Sequence, residues 1–119
     1  MSKRAALGLA IVLVLLAAWG LPHLREARRL ERARAWCEDA ARSVEAFQQT
    51  SGGFPESLDA DLELPRFPLS PEISPGFRHD GRRFELWFLV PDGDGTNTAH
   101  VFDSATESWH STGYVGPGL

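Results

Sequence analysis

The chain of 119 residues has one cysteine, one methionine and one tyrosine. A lone cysteine, Cys37, cannot close an internal disulfide, so nothing in the cysteine count fixes a redox compartment. Cys37 falls on the apolar face of a helical pattern and reads as a small core residue. The sequence contains no glycine-rich phosphate loop, no Gly-x-Ser-x-Gly, no His-Glu-x-x-His and no cysteine pair. We therefore expect no enzyme; a hydrolase is the minority reading. His79, His100 and His110 all lie in the β-rich part. Antiparallel strands could bring two of them together with Asp103, although lone histidines on a half-exposed sheet are usually surface residues. Basic charge is also scarce beyond the first turns. Residues 23–119 carry 10 basic and 16 acidic side chains, a net of −6. Phosphate neutralisation needs a basic surface, so no nucleic acid partner is expected.

What the chain does have is an unbroken apolar run. Residues 5–21 read Ala-Ala-Leu-Gly-Leu-Ala-Ile-Val-Leu-Val-Leu-Leu-Ala-Ala-Trp-Gly-Leu. As a helix the run spans roughly 25 Å, enough for a bilayer core. Trp19 suits the interface at its far end. Residues 1–22 are thus expected to be a transmembrane anchor, with the membrane held through residues 5–21. A removable signal peptide is the competing reading, since Met-Ser-Lys-Arg is a proper basic start and Ala18-Trp19-Gly20 offers small residues to a peptidase. The anchor is favoured because the helical pattern resumes directly after Pro22.

From residue 23 to about 50 the apolar positions recur in steps of three and four: Leu24, Ala27, Leu30, Ala33, Cys37, Ala40 or Ala41, Val44 and Phe47. Arg, Glu and Gln occupy the other faces, with Glu38 and Arg42 among several pairs at helical spacing. The stripe is thin up to Arg32 and richer afterwards. A stalk over residues 24–32 and a core-forming spine over 33–49 are expected. Thr-Ser-Gly-Gly at 50–53 stops the helix, and Phe54 and Leu58 are placed to fold back over its end.

Residues 51–75 are expected to be a proline-rich loop. Pro65, Pro68, Pro71 and Pro75 forbid helix and discourage ladder pairing there. A β-meander follows over 76–112, then a glycine-rich tail at 113–119. Asp80-Gly81 reads as the two-residue turn of a hairpin. In the next strand Phe84, Leu86, Phe88 and Val90 face the helix, while Trp87 and Leu89 lie on the other side as a candidate partner-binding patch. The loop 92–97 places Asp92, Asp94 and Thr96 or Asn97 as candidate calcium ligands, because oxygens at alternate positions suit that ion. The EF-hand pattern fails there on its glycine and its glutamate.

In architecture the chain resembles the type IV pilin-like family, in particular the major pseudopilins of type II secretion. The likeness rests on the short basic start, the apolar helix running into an amphipathic one, and the phrase Phe-Gln-Gln-Thr-Ser-Gly-Gly-Phe-Pro-Glu-Ser-Leu at 47–58. It implies an α+β pilin-like fold: an N-terminal transmembrane helix that continues into a long amphipathic helix packed on a small antiparallel sheet of three to four strands. It also implies a single-pass inner-membrane protein with a periplasmic or extracellular head, and secretion-machine or pilin-like proteins as partners. Major pseudopilins bind calcium near the end of the head, though the 92–97 loop does not copy their site. Two departures stand out. Gly8 is followed by Leu-Ala-Ile-Val rather than Phe-Thr-Leu, and the first acid is Glu26. The prepilin peptidase motif and the intramembrane glutamate are both missing, so the anchor is expected to stay in place. A count of Lys and Arg, with Arg25, Arg28, Arg29, Arg32 and Arg34 after the run, would instead leave the head in the cytoplasm. The alternative function is a small anchored or secreted module that binds a ligand or calcium.

Overall fold

The computed structural model of the protein describes residues 3–113, with side chains at 11, 13, 14 and 24–113. It is an α+β chain: a long N-terminal helix, α1 (Lys3–Ser51), a single helical turn, α2 (Leu58–Asp61), and four strands, β1 (Gly76–His79), β2 (Phe84–Pro91), β3 (Asn97–Asp103) and β4 (Ser108–Thr112). The strands form one antiparallel sheet in the order β1-β2-β3-β4. Among the described residues no helix is long and apolar enough to cross a membrane. The expected anchor at 5–21 lies largely outside the residues whose side chains are described, as does the expected tail beyond Gly113.

By its contacts the chain divides between Arg32 and Ala33. This is where the sequence changes from thin stripe to core spine. Ala33, Cys37, Ala40, Ala41 and Val44 are all buried, whereas residues 24–29 are exposed. Four of these five side chains are small, which lets a sheet approach the helix closely. The helix closes on Gly52, whose N–H donates to the Gln48 carbonyl at 2.8 Å with φ at +79°. Such a left-handed residue after the last turn is where glycine avoids the steric cost of a Cβ. Phe54 then packs edge-on against Phe84, and Pro55 and Leu58 are buried, so the phrase that ends the helix also covers its end.

The proline-rich segment is more ordered than its composition implies. Ser57 caps α2 by accepting from the Ala60 N–H at 3.1 Å, which nucleates a helical turn where a loop was expected. Further on, Ser70 donates its N–H to Phe67 and Ile73 to Leu69, and Phe67 and Leu69 are buried. The first hairpin differs from expectation by one residue. The reversal centres on Gly81-Arg82, not Asp80-Gly81: Asp80 donates its N–H to the Arg83 carbonyl, and Gly81 takes the positive φ of +88°. The Asp80 carboxylate accepts from the Arg82 and Arg83 N–H groups at 2.8 and 2.9 Å, occupying a flank of the turn. These contacts, the two N–H bonds first, hold its carboxyl below the usual carboxylate range.

Register fixes the two faces of the sheet. Phe84, Leu86 and Phe88 are wholly or almost wholly buried, and opposite them stand Phe77, His100, Phe102 and Trp109 on the same face. Trp109 donates its indole N–H to Glu38 of α1 at 3.0 Å, so this is the face that meets the helix. The other face carries Arg78, Glu85, Trp87, Leu89, Ala99, Val101 and Asp103.

Candidate functional site

The outer face does not present Trp87 and Leu89 as a matched pair. Trp87 is half-buried, its ring laid across Gly76, the residue it pairs with in β1. A Cβ built on Gly76 would come within 2.1 Å of that ring. The Arg78 guanidinium covers Trp87 with its carbon 5.3 Å from the ring centroid, a cation–π arrangement. Leu89, at 41% exposure, is the more open of the two. The same Arg78 donates from Nε and Nη2 to Glu85 at 3.0 and 2.8 Å, and Glu85 is only 6% exposed. Strand alternation puts Glu85 on the side away from the helix, yet it is the buried partner of a clamp that fixes Trp87.

The loop 92–97 is braced by its own side chains. Asp92 accepts from the Thr98 hydroxyl at 2.8–2.9 Å and from Thr96 at 3.2 Å, and donates its N–H to the Thr96 carbonyl. Asp94 accepts from both the N–H and the hydroxyl of Thr96. These two bonds, the hydroxyl first, lower the Asp94 carboxyl from its ordinary value. Asn97 opens β3 opposite Pro91 and is exposed. Gly93 and Gly95 take the positive φ values that let the chain turn back. The acidic pattern that suggested calcium thus has a local task in holding the hairpin loop. Among the described residues no group of three or more His, Cys, Asp or Glu side chains is placed to hold a metal ion.

The sheet separates the three histidines. His100 pairs with Ser111 on the helix-facing side, His110 pairs with Val101 on the outer side, and His79 stands at the far end of β1 against Phe84. Asp103 is on the outer side, 3.4 Å from Arg83 Nη1 and accepting the Ala105 N–H. No His–Asp relay results. Cys37 is equally unsuited to nucleophilic chemistry, since burial first and Glu38 second push its thiol up to about 12.

Instead, His100 meets Arg34, which lies within the 33–49 spine but off its apolar stripe. Arg34 Nη2 is 3.2 Å from His100 Nδ1, and the Arg34 guanidinium also lies 5.6 Å from the Trp109 centroid. His100 stacks on Phe88 with centroids 5.1 Å apart. A guanidinium has no acceptor, so Nδ1 accepts and the imidazole is neutral in this contact. Burial and Arg34 lower the His100 pKa from 6.5, and Asp92 opposes them more weakly. An unfolded chain takes up the proton near the ordinary value, while the folded one takes it up only at lower pH. Stability is therefore complete above the ordinary value and falls as the pH drops through 6.5 towards the lowered one. Urea unfolding at pH 7.5 and 5.5 is expected to show this loss, and His100→Gln, which keeps an acceptor for Arg34, is expected to reduce it.

A concavity lies elsewhere, between α1 and the proline-rich segment. It is a cavity of about 660 Å³ lined by Trp36, Phe67 and Phe77 together with Glu56, Asp59 and Glu63, among others. Sequence reasoning placed these residues in separate elements and did not join them; the aromatic Trp36 on an otherwise charged helical flank was the available signal.

No protein-family model, curated protein or solved structure matches the chain.

Proposed function

We propose that the protein is a membrane-anchored, non-enzymatic subunit of pilin-like build that works through protein contacts in a type II secretion or type IV pilus-like machine. The observation that carries this reading is α1: one helix, Lys3–Ser51, whose residues 33–44 are the spine of a four-stranded meander and whose residues 5–21 are an unbroken apolar run. The helix-ending phrase at 47–58 supports it, because those residues cap α1 and pack Phe54 on β2. The scattered histidines and the inert Cys37 are in keeping with a protein that binds rather than catalyses. The second reading, ligand or calcium binding through Trp87, Leu89 and the 92–97 loop, has less support, since Trp87 is clamped and both loop aspartates are engaged.

Alkaline carbonate extraction combined with protease treatment of intact spheroplasts tests the proposal. The protein should stay with the membrane pellet and its head should be cut from outside. Release into the supernatant would exclude the anchor. A head protected until the cells are lysed would place it in the cytoplasm and remove it from the exported side of any such machine.

A further inference from the structure

We infer that the cavity between α1 and the proline-rich segment is a docking site for an arginine side chain carried by a partner polypeptide. This inference concerns the head alone and does not depend on the anchor.

The cavity is built in advance. Trp36 donates its indole N–H to the Pro65 carbonyl at 2.8 Å and meets Phe67 edge-on, with centroids 5.1 Å apart at 73°. Its only hydrogen-bonding group is thereby used, and what remains is apolar ring surface. On the opposite side, the Ser57 cap holds α2 and the Glu56 N–H donates to Asp61 at 3.1 Å. Prolines at 65, 68, 71 and 75 limit the freedom of the segment between. A site whose walls are already ordered loses less entropy on binding, and its volume falls within the range of sites that hold a side chain or small ligand.

The lining selects the occupant. Trp36 and Phe77, both half-buried, bring aromatic ring surface to the cavity, Phe67 is buried against Trp36, and the exposed carboxylates of Glu56, Asp59 and Glu63 line it as well. Among the described residues none of the three makes an ion pair, although Arg66 also lines the cavity. The surroundings reinforce the sign, since residues 35–119 carry 14 acidic and 5 basic side chains. Anionic ligands are therefore repelled. A cation with an apolar stem can lay the stem on the ring surface and direct its charge to the carboxylates. Arginine suits both parts better than lysine, because a planar guanidinium stacks on aromatic rings and pairs with carboxylates through two N–H groups at once.

The full-length protein in detergent micelles, titrated with the peptide acetyl-Gly-Arg-Gly-Arg-Gly-amide, tests this. The readout is the indole N–H resonance of Trp36, assigned by its loss in Trp36→Phe. A saturable shift within roughly 1 mM peptide is expected. Asp59→Asn/Glu63→Gln, a change at two exposed positions, should weaken binding roughly fivefold while leaving the melting temperature in place. No shift, or an equal shift with the glutamate-for-arginine peptide, overturns the site. Free arginine amide binding as tightly as the peptide overturns the polypeptide partner in favour of a small molecule. A shift that follows protein concentration without peptide assigns the cavity to a second copy and overturns the proposal as stated.

Discussion

Phe88→Ala is expected to destabilise the head by about 3–5 kcal/mol, the range for a fully buried aromatic cut back to a methyl group. Phe88 is fully buried, and three rings converge on it: Phe67 at 5.7 Å, His100 at 5.1 Å and Trp109 at 6.1 Å between centroids. They come from the proline-rich segment, β3 and β4, so they cannot all collapse into one vacancy. The void should persist, and the cost should lie towards the upper end. For a domain whose whole stability is on the order of 5–10 kcal/mol, that leaves the variant close to its unfolding midpoint at room temperature. Urea unfolding followed by tryptophan fluorescence checks this, because a stability change moves the midpoint while the slope stays constant. Phe88→Leu, which refills part of the volume, should recover more than half of the loss. A loss below about 1 kcal/mol for Phe88→Ala would show that Phe88 is not the centre of the core.

Arg78→Met should cost about 3 kcal/mol, although Arg78 looks in sequence like an ordinary strand cation. Its removal strands the Glu85 carboxylate at 6% exposure, and one charge left behind is worse than either a pair or none. It also uncovers Trp87 and removes the brace that holds that ring over Gly76. Glu85→Leu should cost less, since the Arg78 side chain is 21% exposed and can turn to water. The double variant Arg78→Met/Glu85→Leu should regain most of the stability, and the cycle would give a coupling of at least about 1 kcal/mol. Strict additivity of the two single losses would mean that the pair contributes nothing by being together.

These two positions show what was legible in the sequence. Phe88 was placed correctly because alternation along 84–90 is a local signal, and register then fixes the face. The spine of α1 was legible for the same reason, down to the change of stripe at Ala33. Arg78, Glu85 and Arg34 were not, because a charged residue is assigned to water unless its partner is known, and each partner here comes from another strand or element. The Asp80-Gly81 turn was displaced by one residue, since the aspartate's side chain captured the N–H groups that would otherwise mark the central pair. In the loop 92–97 the local pattern left out the partners of its carboxylates. Its acidic spacing was real, but Thr96 and Thr98 supply the hydrogens that draw those carboxylates in. The cavity depends on Trp36 meeting residues 20 to 41 positions away, a pairing no local pattern carries.

The meander order has a kinetic consequence. Every strand pairs with its neighbour in sequence, across loops of four or five residues, so closing each hairpin fixes little chain entropy. The costly closures are those that bring Arg34, Trp36 and Glu38 to His100, Pro65 and Trp109. The sheet is then the part able to form early, and docking of the helix is the step that commits the fold. Substitutions at the helix–sheet contacts should therefore slow folding as well as weaken the folded state.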